Sequence, residues 1–82
     1  LDSVKTGEIE VRIKLFGVFR IDRFKDEVRN YPAGVSAREI VEDLRLPDHL
    51  LGIVVINDVH AGSEDVLHDG DTLSLFPLLD GG

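Results

Sequence analysis

The chain has 82 residues, of which 43% are hydrophobic, and a formal net charge of −7. That is the length of one domain with a single modest core, and too apolar a composition for intrinsic disorder. Cysteine is absent, which excludes disulfides, thiolate metal ligands and a thiol nucleophile.

No apolar run reaches the length of a bilayer-spanning helix, and no basic-then-apolar segment opens the sequence, so we expect a soluble cytoplasmic protein that does not engage a membrane. The charge is unevenly placed. Residues 1–45 hold all nine Lys and Arg residues and nine acidic residues that cancel them; from Leu46 onward there are seven acids and no base. The acidic half argues against nucleic-acid binding near the C-terminus. It fits either steering toward a basic protein partner or plain solubility.

Glu8 to Phe16 alternates, with Ile9, Val11, Ile13 and Leu15 on one face and Glu10, Arg12 and Lys14 on the other. This is the pattern of a half-buried strand, preceded by a loose lead-in over Leu1 to Gly7. Gly17 ends the strand, and Val18 to Ile21 forms a short irregular or helical cover. Phe24 to Tyr31 is expected to be an outer strand. After a turn at Pro32-Ala33-Gly34, Ser36 and Glu39 have the spacing of a capping box, with Val35 placed as its hydrophobic staple. Ile40, Val41 and Leu44 share one face of a helix of about ten residues that Pro47 stops; so short a helix needs a sheet beneath it.

Gly52 to Asn57 contains Ile53-Val54-Val55-Ile56 and reads as a central strand buried on both faces. Asn57-Asp58 and His68-Asp69-Gly70-Asp71 are turns on either side of a broken segment from Val59 to Leu67, and Thr72 to Phe76 is the last strand. Ile13, Leu44, Val54, Ile56, Leu73 and Leu75 are the expected core. The order of elements implies an α+β fold, a mixed sheet packed on one face by the capped helix; the first and last strands could pair in parallel at its centre, a topology that periodicity does not prove. Residues 1–82 form one domain, and 77–82 a projecting flexible tail.

That tail, Pro77-Leu78-Leu79-Asp80-Gly81-Gly82, has two readings. Gly-Gly contributes no packing and costs backbone entropy, so it is either a frayed end or a thin carboxylate-bearing strap that enters another protein's active site. Leu15-Phe16-Gly17, Val55-Ile56-Asn57, Leu67-His68-Asp69-Gly70-Asp71, and Phe76-Pro77 leading to Gly81-Gly82 together resemble the ubiquitin-like β-grasp sulfur carriers. The resemblance spans Ile9 to Gly82 and is nearest to the small subunit of molybdopterin synthase, with the thiamine-pathway carrier as a relative. The chain departs from the molybdopterin type at three places: Leu78 replaces a second proline, Asp80 a small residue, and Asp58 a glycine. The short helix is nearer the thiamine pattern.

The resemblance implies a function. A partner adenylating enzyme would use ATP to activate the carboxylate of Gly82, and sulfur from a persulfide or sulfide would displace AMP to leave a thiocarboxylate. That sulfur would go to a pterin precursor on the large catalytic subunit of the synthase. Gly81 supplies clearance in this account, and no cofactor is bound stably. Phe76, Pro77, Leu78, Leu79 and Asp80, with Asp69 and Asp71, are the expected partner-contacting residues; either leucine alone could instead fold back on the core. Other outcomes of the same sequence are a sulfur carrier for thiamine thiazole, a protein modifier joined through Gly82 to lysine, and a binding module with an inert tail. His49, His60 and His68 lack the spacing of a metal site, and Asp69-Gly70-Asp71 lacks the further ligands of a calcium loop. With no catalytic triad, the chain is expected to be a subunit and not a complete enzyme.

Overall fold

The structure is a computed structural model that describes residues 7–78. The expected lead-in before Gly7 and the expected tail residues Leu79, Asp80, Gly81 and Gly82 lie outside the described residues. Five strands form one mixed sheet: β1 (Glu8–Leu15), β2 (Asp26–Pro32), β3 (Leu51–Ile56), β4 (Val59–Ala61) and β5 (Thr72–Pro77), in the order β2-β1-β5-β3-β4. β1 and β5 pair in parallel and the other neighbours are antiparallel. One helix, α1 (Ala37–Asp43), covers one face.

The alternation in β1 does what its period requires. Val11, Ile13 and Leu15 are buried and join Leu73 and Leu75 of β5, Val54 of β3, and Ile40, Val41 and Leu44 beneath α1. Phe19, in the 3-10 turn Gly17–Arg20, is also fully buried, so that segment is a core plug. β2 is an edge strand, as the weak pattern suggested, and Tyr31 anchors it by donating its hydroxyl to Asp43 Oδ2 at 3.0 Å.

The helix N-terminus is satisfied three ways. The Glu39 amide donates to Ser36 Oγ while the Glu39 carboxylate accepts from the Ser36 amide, completing the capping box. The amides of Ala37 and Arg38 donate to the carbonyls of Asp65 and Ser63, which ties the 62–67 segment to the helix and seats Leu67 in the core. The C-terminus differs from expectation. α1 has 7 residues and ends well before Pro47. Leu46 N–H donates to Val41 C=O and Arg45 N–H to Glu42 C=O, a Schellman motif with buried Leu46 closing it. Arg45 occupies the left-handed position at φ 59, where glycine is usual.

A second difference concerns β3, which sits next to the edge strand β4, while β5 is central. Only Val54 of its apolar run is buried; Ile53 is 44% exposed. The reason is pleat geometry: among the described residues the sheet has a helix on one face only, so alternate residues of β3 face outward. The expected core member Ile56 is half-buried against the core instead of within it.

Candidate functional site at the exit of the central strand

Two glycines from distant parts of the chain shape the point where β5 ends. A Cβ on Gly17 would meet Pro77 Cγ at 2.9 Å, and Gly17 also has a φ of +58 that other residues resist. A Cβ on Gly52 would lie 2.9 Å from the backbone nitrogen of Leu78 and 3.0 Å from its Cα. Gly52 is the extra residue of a bulge, because Leu51 pairs with Pro77 but Ile53 pairs with Phe76. Gly17 thus leaves room for the Pro77 ring and Gly52 for the backbone of Pro77 and Leu78, and Leu78 N–H donates to Leu50 C=O at 2.6 Å. β5 ends at Pro77, so Leu78 lies just outside the strand.

Around the exit lies an apolar groove of about 380 Å³, lined by Phe16, Gly17, Gly52, Ile53, Phe76, Pro77 and Leu78. Phe16 and Phe76 stack with centroids 4.3 Å apart and planes 10° from parallel. The Arg20 guanidinium sits 5.2 Å from the Phe16 centroid and donates through Nε to Leu15 C=O at 2.8 Å, extending the stack with a cation. Leu78 is 54% exposed, so it does not fold back onto the core. Exposed Ile53 and Leu78 together with the half-buried rings make a contiguous patch on the face away from α1. Such a patch, with the chain leaving through it, suits capture of a partner surface.

The other end of β5 has different chemistry. Asn57 and Asp58 have φ of 53 and 67, the requirement of a type I′ turn between β3 and β4. Asn57 Nδ2 donates to Asp71 Oδ1, the Thr72 amide donates to Asn57 Oδ1, and the His68 amide donates to Asp71 Oδ2, all at 2.8 or 2.9 Å. Asp69 Oδ1 accepts from the Glu10 amide at 2.8 Å. Gly70, at φ +87, makes the turn that the Asp-Gly-Asp sequence implied.

The structure therefore brings Phe76, Pro77 and Leu78 together and leaves Asp69 and Asp71 out of that group. Six strand residues separate the two ends of β5, roughly 20 Å at a strand's rise. Asp69 holds the Glu10 amide of β1 and Asp71 the His68 amide of the preceding loop, and the Asp71 side chain is only 15% exposed. Phe16, Gly17, Gly52 and Ile53 belong to the exit site, and sequence reading missed that role for all four. A glycine opening a strand pattern is the one local signal that pointed there, since it marks a bulge or a close backbone approach. Among the described residues no group of three or more His, Asp or Glu side chains converges on a common point.

Neither a family model nor a curated protein sequence matches the chain. Solved structures do. The chain is similar to the HVO 2177 protein of Haloferax volcanii, with a TM-score of 0.74 and 21% identity over 93% of this chain and 89% of that one. The small archaeal modifier protein 1 of H. volcanii gives 0.71 and 17%, covering 87% and 99%. A third match, in the complex of subunits 1 and 2 of the molybdopterin-converting factor from Helicobacter pylori, gives 0.55 and 22%, covering 90% and 100%. At these identities the likeness is one of fold, and the fold is the ubiquitin-like β-grasp.

Proposed function

We propose that the protein is a sulfur carrier of the cytoplasm, activated at Gly82 and acting as the small subunit of a molybdopterin synthase. The observation that carries this reading is the exit geometry: two glycines clear a passage for Pro77 and Leu78 beside an exposed aromatic groove, four residues before Gly82. A domain that holds its partner next to the point where a thin Gly-Gly segment follows supplies positioning, which is the protein's contribution to transfer chemistry done elsewhere. Support also comes from the fold shared with a subunit of the molybdopterin-converting factor of Helicobacter pylori.

The chemistry is acyl activation. A carboxylate oxygen of Gly82 attacks the α-phosphorus of ATP on a partner adenylating enzyme, releasing pyrophosphate and forming an acyl adenylate. Hydrosulfide attacks the acyl carbon and expels AMP, leaving a thiocarboxylate; a persulfide does the same if a thiol then reduces the acyl disulfide. Transfer of the sulfur to a pterin precursor on the large synthase subunit, with water supplying the oxygen, restores the carboxylate. Phe16, Ile53, Phe76 and Leu78 grip each partner in turn.

The test is intact mass after incubation with an adenylating enzyme, ATP and sulfide, with a chain lacking Gly82 as control. Exchange of one oxygen for sulfur in the full chain alone is the expected result. No exchange with any of several competent adenylating enzymes would overturn the reading. The likeness to a small archaeal modifier protein favours a second reading, in which the activated Gly82 is passed to a lysine amine. Adducts of higher mass on other proteins, lost without Gly82, would identify that outcome.

A further inference from the structure

The short strand β4 borders a second surface. A groove of about 490 Å³ lies against it and shares no lining residue with the exit groove. Ile56, Val59 and Val66 line its apolar part; Val66 is exposed and Val59 is 65% exposed. The two-residue turn at Asn57-Asp58 makes Ile56 and Val59 a hydrogen-bonded pair. Val59 and Ala61 therefore bond to β3, and the N–H and C=O of His60 turn away from it. Among the described residues no strand lies beyond β4, and neither backbone group of His60 has a hydrogen-bond partner. One outward residue is too short an edge for an added strand, so a ligand here is held through side chains.

The charge of this groove is uncompensated. Asp65 and Asp71 line it and no Lys or Arg does; Asp58 precedes Val59 in the turn, and the sequence has no base from Leu46 onward. Arg38, whose amide donates to Ser63 C=O, is engaged by Glu64 at 2.9 Å and Asp48 at 3.8 Å. The two oxygens of Asp71 accept from Asn57 Nδ2 and the His68 amide, and Asp65 Oδ2 accepts from the Gly62 amide. Among the described residues, Asp65 Oδ1 and both carboxylate oxygens of Asp58 accept no hydrogen bond, and neither residue forms an ion pair with Lys or Arg. Acids kept for solubility alone gain nothing from exposed valines beside them.

We infer that this groove docks an arginine-bearing segment of a basic partner protein. The methylene stem of one arginine lies across Val59 and Val66, its guanidinium meets Asp65 Oδ1 and His60 C=O, and a second arginine meets Asp58. Arginine suits the groove better than lysine, because its planar fork serves two acceptors at once and is more weakly hydrated. The carboxylates select the sign of the occupant and the valines select its stem; nucleic acid is repelled by the same charges. The inference stands apart from the activation of Gly82, since it uses neither the tail nor the exit groove.

The experiment is an amide-shift titration of the full chain with the peptide Gly-Arg-Val-Arg-Gly, acetylated and amidated, with its Lys-for-Arg and Glu-for-Arg counterparts, and with spermidine. For the arginine peptide, shifts should map to residues 58–61 and 65–68, saturate, and weaken with salt; the glutamate peptide should give none. Asp65→Asn keeps an acceptor for the Gly62 amide and removes the charge. Its Tm should hold while affinity falls roughly two- to fivefold, the size of one exposed ion pair. Val59→Thr keeps the β-branched shape but places a hydroxyl where the stem packs, and should lower affinity roughly twofold. Acids that serve solubility alone predict shifts spread over Glu8, Glu10, Glu42 and Asp69 that neither substitution alters, a result that would overturn the inference. Equal affinity for the lysine peptide or for spermidine would also overturn it, as would full affinity in Asp65→Asn or Val59→Thr. So would shifts at Phe16, Ile53 and Phe76 instead, or no shifts at millimolar arginine peptide.

Discussion

The central strand begins among polar groups that satisfy one another and ends among apolar groups that do not. At its start, the Asp71 carboxylate accepts from Asn57 Nδ2 and from the His68 amide, and Asn57 Oδ1 accepts from the Thr72 amide. At its end, Phe16, Ile53, Phe76 and Leu78 leave apolar area in water. A closed polar web fixes loops and offers a partner little. An open apolar groove adds little to the isolated fold, and burying it against a partner gives roughly 25 cal/mol for each Å² removed from water. On the proposed function, one end serves structure and the other recognition.

Substitutions can break this comparison. Gly52→Ala should have the largest effect, because its new Cβ meets the backbone of Leu78 and Pro77, which cannot step aside as a flexible side chain would. We expect a loss of about 1–3 kcal/mol in chemical denaturation, together with impaired activation. Asp71→Ala leaves the Asn57 amide and the His68 N–H without their acceptor and should cost about 1–2 kcal/mol. Transfer by the folded fraction should be unchanged, which a denaturation curve and an activation assay on the same sample will show.

Two further substitutions lie away from both ends and sharpen the contrast by affecting stability alone. Tyr31→Phe removes the bond to Asp43 and should cost about 1 kcal/mol. Burial, and then that bond, raise the Tyr31 phenol above its ordinary value of 10.0. The folded chain thus keeps a proton that the unfolded chain loses. The stabilisation is complete below pH 10.0 and declines as pH rises past it. The Phe variant should lack this alkaline decline in Tm. Arg45→Gly should give the smallest change and the opposite sign, a gain of about 0.5–1 kcal/mol from relief of the left-handed residue.

Local signals in the sequence were legible because local contacts decide them. The Ser36 and Glu39 pair forms the cap its spacing implied, Asn57-Asp58 makes the turn, and the alternation of β1 selects its buried face. The parallel pairing of β1 with β5 agrees with the expected topology, although strand periodicity alone does not set it. The run Ile53-Val54-Val55-Ile56 misled because hydrophobicity does not distinguish a residue that fills the core from one on the outer face of the sheet. The early end of α1 was hidden because the helix stops at an arginine in a glycine-like conformation, with the more conspicuous Pro47 two residues on. Gly17 and Gly52 are 35 positions apart and meet only around Pro77 and Leu78, a relation that no single window of sequence contains. Asp69 and Asp71 stood out as charge beside the tail, whereas their carboxylates serve backbone amides brought to them by the fold.

The account rests on the exit end of β5 being the functional one. The most direct measurement is ATP–pyrophosphate exchange by an adenylating enzyme that activates the parent chain, run with Phe16→Ala and Asp71→Asn at a temperature where both are folded. Loss of one aromatic anchor from the patch should lower exchange at sub-saturating carrier at least tenfold, about 1.4 kcal/mol or more of partner binding, with Asp71→Asn close to the parent. Parent-level exchange with Phe16→Ala, or a loss confined to Asp71→Asn, would contradict it.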